Sequence, residues 1–221
     1  MHIGLFGGTF NPIHSCHLHI AGHAQTKCHL DRIIFIPTGD PPHKQSTSLA
    51  PAHHRLAMVH LALESHPTFS VSDIEIHATG VSYTVDTLIT LQQQHQDVTR
   101  WSFIIGLDAF LDLHTWKSAT RLLQLCNFIV CSRPSADFTK VPSVTCLPPI
   151  SPHSLRNLES GQIQRLEIPL PTGTQLTFLS LPPCEASASS IRTSIREGRD
   201  VSHWLPPSLE SYILKHHLFQ V

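Results

Sequence analysis

The chain has 221 residues, with 15 Lys+Arg set against 16 Asp+Glu and 18 His. A formal net charge of -1 leaves no basic surplus for non-specific nucleic-acid binding or for an anionic membrane surface. With 41% hydrophobic and 14% charged residues the composition excludes a disordered chain. A chain of this length buries roughly 70% of its unfolded surface, so residues 1–221 are expected to form a single domain.

The longest apolar runs, such as the IIFI of 33–36, fall far short of the ~20 residues that span a bilayer. The start, MHIGLFGGTF, lacks the basic flank and long apolar stretch of a secretory signal, so a cytoplasmic protein is expected. Six cysteines (16, 28, 126, 131, 146 and 184) include no CxxC pair and are expected to be buried thiols in a reducing compartment.

Short β-branched runs alternate with helical patterns along the chain. Residues 2–6 (HIGLF) read as a strand and 15–27 as a helix. Residues 31–37 (DRIIFIP) form a near-continuous apolar strand, of the kind covered on both faces. Residues 52–65 are a helix with Leu56, Val59 and Leu63 on one stripe. A strand at 69–76 precedes a helix at 84–95, with Thr84 as a suitable N-cap. Then come a strand at 101–106, a helix at 117–126 and a strand at 127–132. The stretch 134–175 is rich in proline and has no sustained period, so it reads as an insertion or long connection. A strand at 176–181, a helix at 189–197 ending at Gly198, and a last helix at 207–218 make up the C-terminal part, helical from about 189. In the last helix Leu209, Tyr212 and Ile213 should face inward.

Such alternation predicts an α/β fold: a doubly wound, mostly parallel sheet with right-handed crossovers. Ligands of these sheets bind beyond the carboxyl ends of the strands, so functional motifs should follow strands. Gly7-Gly8-Thr9-Phe10-Asn11-Pro12-Ile13-His14-Ser15-Cys16-His17 follows the first strand and enters the first helix. Paired glycines admit close backbone approach, and a helix N-terminus offers N–H groups to an anion. His14 and His17, three residues apart, share a helix face. These features describe a phosphate cradle with two imidazoles. It is neither a P-loop nor the dinucleotide GxGxxG fingerprint.

GGTFNPIHSCHL resembles the GGTFDPxHxGH signature of nucleotidyltransferases, and specifically of bacterial nicotinate-nucleotide adenylyltransferases. Pro37-Thr38-Gly39-Asp40-Pro41-Pro42-His43-Lys44 is similar to that family's PxxxPPHK/R loop, and Ser82-Tyr83-Thr84 with Thr87-Leu88 to its SYTxxTL element. Phe103-Ile104-Ile105-Gly106-Leu107-Asp108 with Thr115-Trp116 resembles its FIIGxDxL…W segment, and Arg133-Pro134 its strand-end RRP or SRP. Ser187-Ala188-Ser189-Ser190-Ile191-Arg192 resembles ISSTxIR. The blocks keep the family's order; 134–175 is the part they cover poorly. Two positions depart from the pattern: the HxGH glycine is Cys16, and the aspartate after GGTF is Asn11.

The resemblance implies a Rossmann-like nucleotidyltransferase fold that joins ATP to nicotinate mononucleotide, giving nicotinate adenine dinucleotide and pyrophosphate in NAD biosynthesis. It implies a catalytic set of His14, His17, Lys44 and Arg192. Gly7, Gly8, Thr9, Phe10, Gly106, Asp108, Ser189 and Arg192 would hold ATP, and Thr84, Trp116 and Arg133 the mononucleotide. Mg²⁺ would arrive with ATP, with no dedicated protein metal site. A sibling enzyme using nicotinamide mononucleotide, and a non-catalytic nucleotide sensor of the same fold, are the alternatives. No nucleic-acid or membrane partner is expected, and assembly into a homo-oligomer is left open. Asp108 has a second reading as a helix N-cap and Trp116 as core. His19 and His23, spaced like a zinc pair but without an HExxH glutamate, read as a solvated helix face.

Overall fold

Apolar runs with branched and aromatic side chains lay down the strands, and helical periodicity places the segments between them. The computed structural model describes residues 1–39, 49–134 and 137–220, so His43 and Lys44 lie outside the described residues. In chain order the elements begin β1 (His2–Gly8), α1 (Ser15–Cys28), β2 (Arg32–Pro37), α2 (Ala52–Leu63) and β3 (Phe69–Val71). They continue α3 (Thr84–Gln94), β4 (Arg100–Gly106), α4 (Leu107–Leu111), α5 (Ala119–Leu125) and β5 (Asn127–Cys131). The last are α6 (Pro152–Glu159), β6 (Arg165–Pro169), β7 (Gln175–Leu179), α7 (Ala188–Arg196) and α8 (Pro207–Lys215). This is the expected α/β class: β1–β4, β2–β3, β4–β5 and β5–β7 pair in parallel, and β6–β7 antiparallel.

The residues form two compact units that interleave along the chain. Met1–Phe6, Gly22–Asp31 and Tyr83–Pro183 make the first; Gly7–Ala21, Arg32–Ser82 and Cys184–Val221 make the second.

In the first unit the strands run in the order β1-β4-β5-β7-β6. Strands β4, β5 and β7 are apolar on both faces and buried throughout their middles. Strand β6 alternates between exposed and half-buried residues, as an edge strand does, and Pro169 ends it opposite Gln175 of β7. Phe110 lies edge-on to Phe178 with centroids 5.6 Å apart, and Phe138 lies edge-on to Phe178 at 6.1 Å. Burying each of these rings contributes about 1.5–3 kcal/mol.

The proline-rich stretch supplies part of this core. A 3-10 turn over Phe138–Ser143 buries Phe138 and Val141, and α6 buries Leu155 and Leu158. Two of its prolines occupy permitted places: Pro152 at the start of α6, behind the Ser151 cap, and Pro169 at a strand end. These elements are too short to show a period, which is why the sequence read there as a connection.

In the second unit β2 pairs with β3 in the register Ile33↔Phe69 and Phe35↔Val71. Strand β3 is shorter than the expected 69–76. The amides of Ile76 and His77 turn back onto the Asp73 carbonyl, and the His77 ring meets the Asp73 carboxylate at 3.1 Å. On α2 the buried side chains are Arg55, Met58, Val59, Ala62 and Leu63, while Leu56 is half-buried. The inward face is therefore rotated from the expected stripe, because a buried arginine opens it. Leu209 and Ile213 of α8 are buried as expected; Tyr212 is only half-buried.

Candidate active site

In the second unit, β1 ends at Gly8 and the chain turns through Thr9 and Phe10 toward α1. Phe10 adopts φ 48°, the left-handed region where side chains are strained. Its ring stands edge-on to His17 at 5.1 Å. A Cβ on Gly8 would come within 3.1 Å of that ring, so the glycine lets Phe10 fold back under the histidines.

His14 is buried, and its ring centroid lies 3.9 Å from that of half-buried His17. The His14 backbone N–H donates to His17 Nδ1 at 3.2 Å. Nδ1 is thus the acceptor, which leaves Nε2 of the neutral imidazole as the N–H donor. The loop fixes both the orientation and the tautomer of His17.

The late helix reaches the same loop. Arg192 on α7 donates from Nη1 to the Asn11 carbonyl at 2.8 Å. Burial, followed by the charge of Arg196, holds the Arg192 pKa below the usual arginine value. A reciprocal capping box starts α7, with Ser190 N–H donating to Ser187 Oγ at 3.1 Å and Ser187 N–H to Ser190 Oγ at 3.2 Å. Ser189 lies exposed in that first turn.

Two further residues hold this loop: Arg55, which sequence reasoning missed, and Asn11, which it noted only as a departure from the family's aspartate. Arg55, fully buried, donates to the carbonyls of Ala50 (2.9 Å), Thr9 (3.0 Å), Thr38 (2.6 Å) and Gly39 (3.0 Å). One guanidinium thereby binds the glycine loop to the start of the loop after β2 and to Ala50. Asn11 Oδ1 accepts from the Ala50 amide at 3.0 Å, so its side chain bridges two loops. Cys16 and Cys184 also depart from expectation: they are disulfide-bonded, not separate thiols. The expectation of buried thiols holds for Cys28, Cys126 and Cys131, whose pKa values burial pushes up to about 11, 12 and 12.

In the first unit a second cluster follows β4. A Cβ on Gly106 would lie 2.5 Å from Asp108 Oδ1 and 2.9 Å from Arg133 Nε, so any side chain there would displace that pair from its present place. Asp108 and Arg133 approach to 3.8 Å. The N-cap of α4 is Gly106, and Asp108 lies within its first turn rather than capping it. Trp116 is half-buried, edge-on to Phe103 at 6.0 Å, and so combines packing with an open face. Thr84 is the first residue of α3, not its cap; that position falls to Tyr83. Lys117, another residue the sequence did not single out, bonds Asp86 Oδ2 at 2.8 Å and lies 4.3 Å over the Tyr83 ring. It ties the start of α3 to the Trp116 segment. Among the described residues, no three His, Cys, Asp or Glu gather as a metal site.

A family model described as cytidylyltransferase-like matches residues 5–194. A protein of Pelobacter propionicus named "Probable nicotinate-nucleotide adenylyltransferase" is 37% identical over 219 residues, covering 99% of this chain and 98% of the relative. One of the same name from a Thermoanaerobacter species is 34% identical, covering 100% of this chain and 95% of the relative. The chain belongs to the nicotinate-nucleotide adenylyltransferase family.

The fold of this adenylyltransferase-family chain is also that of solved relatives. The Plasmodium falciparum nicotinic acid mononucleotide adenylyltransferase complexed with NaAD superposes with a TM-score of 0.71, at 19% identity, over 99% of this chain and 97% of the other. The same enzyme complexed with APC gives a TM-score of 0.69. Of the positions that resemblance to the adenylyltransferases singled out, Gly7, Gly8, Thr9, Phe10, His14, His17, Ser189 and Arg192 fall in the second unit. Thr84, Gly106, Asp108, Trp116 and Arg133 fall in the first, and Lys44 lies outside the described residues.

Proposed function

We propose that this chain transfers the adenylyl group of MgATP to nicotinate mononucleotide in the cytoplasm, using His14, His17 and Arg192 as its charge-stabilising core. A phosphate oxygen of the mononucleotide attacks the α-phosphorus of ATP. The bond from that phosphorus to the β-bridging oxygen breaks, and pyrophosphate leaves. The nucleophile is an anion at neutral pH, so the step calls for positioning and charge stabilisation rather than a general base.

The observation that carries this reading is the bond from the His14 N–H to His17 Nδ1, which makes Nε2 the N–H donor of the neutral ring. His17 Nε2 donates to the α-phosphate as charge builds there. Backbone amides of Gly7, Gly8, Thr9 and Phe10 border the triphosphate, and Ser189, Arg192 and Lys44 take its outer phosphates. Mg²⁺ belongs to the substrate, on the oxygens of the triphosphate. In the first unit Asp108 accepts from the ribose hydroxyls beside Gly106. Thr84 and Trp116 hold the pyridine ring and its carboxylate, and Arg133 meets the mononucleotide phosphate.

Incubating the purified chain with MgATP and nicotinate mononucleotide tests the reading. One pyrophosphate should appear for each dinucleotide formed. Binding of ATP without turnover would instead identify a sensor.

A further inference from the structure

We propose that the Cys16–Cys184 disulfide is a reversible positioning device for the triphosphate, setting ATP affinity according to its redox state. The inference rests on the phosphate-binding role given above to His17 and Arg192. Cys16 sits between His14 and His17 at the start of α1, with its side chain buried. Cys184 lies three residues before Ser187, the cap of the helix that carries Ser189 and Arg192. The bond therefore joins the two phosphate-binding elements of the second unit, 168 residues apart in sequence, with their Cα atoms 5.7 Å apart. Another tie between them is the hydrogen bond from Arg192 Nη1 to the Asn11 carbonyl at 2.8 Å.

With the bond closed, the histidine pair and the first turn of α7 share a covalent node and move as one. With it open, the first turn of α7 is freer to shift against the loop. A shift of that turn against the loop would break the simultaneous contact of both elements with one triphosphate, so a tie at this place acts on binding as well as on stability. Cys184 is a half-buried residue and Cys16 a fully buried one, so attack falls at the Cys184 end of the bond.

The reductant is a dithiol: a protein of the thioredoxin class, or dithiothreitol in the test tube. Its thiolate attacks Cys184 Sγ, the S–S bond breaks, and Cys16 leaves as a thiolate that takes up a proton. The second thiol of the dithiol resolves the mixed disulfide. Two electrons and two protons pass to the protein, and the dithiol ends as its own disulfide. Cys28, Cys126 and Cys131 do not compete, because their enclosed thiols yield little thiolate.

The full chain, prepared without reductant and again with dithiothreitol, provides the test. Thiol titration after denaturation should count the four free cysteines (28, 126, 131 and 146) before reduction and all six afterward. Reduction should raise the KM for ATP about tenfold and change the KM for nicotinate mononucleotide by less than twofold, with equilibrium ATP binding weakened in step. Cys184→Ser should show the reduced-form KM in either buffer, while Cys146→Ser should keep the wild-type response. A merely structural bond would lower Tm on reduction without separating the two KM values. Six titratable thiols before reduction, or ATP affinities equal within twofold, would overturn the proposal. If neither form releases pyrophosphate, the adenylyl-transfer reading fails, and the binding comparison still decides the role of the bond.

Discussion

His17 shows how one backbone contact assigns a chemical role. Because the His14 N–H occupies Nδ1, the donor of the neutral ring is Nε2, and the proposed role asks for no reorganisation of that donor. His17→Ala should lower kcat by about 10²–10³-fold, the loss typical of a preorganised donor to developing charge. Steady-state pyrophosphate release measures this, and an unchanged rate would remove His17 from the site. The spacing of His14 and His17 was legible in the sequence because a helix places such neighbours on one face. Arg55 was not: an arginine in an amphipathic helix ordinarily snorkels to solvent, and nothing local marks this one as buried against four carbonyls. Arg55→Lys keeps the charge but reaches fewer acceptors. Each buried acceptor left unmet costs about 1–3 kcal/mol, so the variant should lose about 2 kcal/mol or more in a denaturant titration.

At the scale of elements, the strands were easier to read than the ends of the helices. The runs of β4 and β5 are apolar enough to admit no other assignment, whereas Thr84 and Tyr83 both suit the start of α3 and only backbone geometry separates them. The contact of α2 with α8 was hidden for a similar reason: histidine pairs at 53–54 and 216–217 carry no pattern until the helices meet. His54 Nδ1 and the Tyr212 hydroxyl are 2.9 Å apart, and the His53 and His216 rings lie 4.2 and 5.1 Å from that of His54. Burial, then His53 and His216, lowers the His54 pKa from 6.5. The folded state therefore favours the neutral ring. Its contribution is complete above about pH 6.5 and is lost as the pH falls through the lowered value. His54→Gln should flatten the dependence of Tm on pH between about 5 and 7, and an unchanged slope would show that His54 is not its source.

For the whole molecule, the α/β class and the order of the motifs followed from alternation and from which residues trail each strand. The division into two interleaved units did not, since it depends on contacts between segments far apart in sequence. The same distance concealed the Cys16–Cys184 bond. The near-neutral net charge fits the proposed anionic substrates, whose binding would draw on a few placed donors rather than a charged surface. The proposed function turns on the acid mononucleotide as acceptor of the adenylyl group. Comparing kcat/KM for nicotinate and nicotinamide mononucleotides at saturating MgATP tests that most directly. A preference for the acid of at least about tenfold, roughly 1.4 kcal/mol, is the predicted result. Equal values, or a preference for the amide, would contradict it.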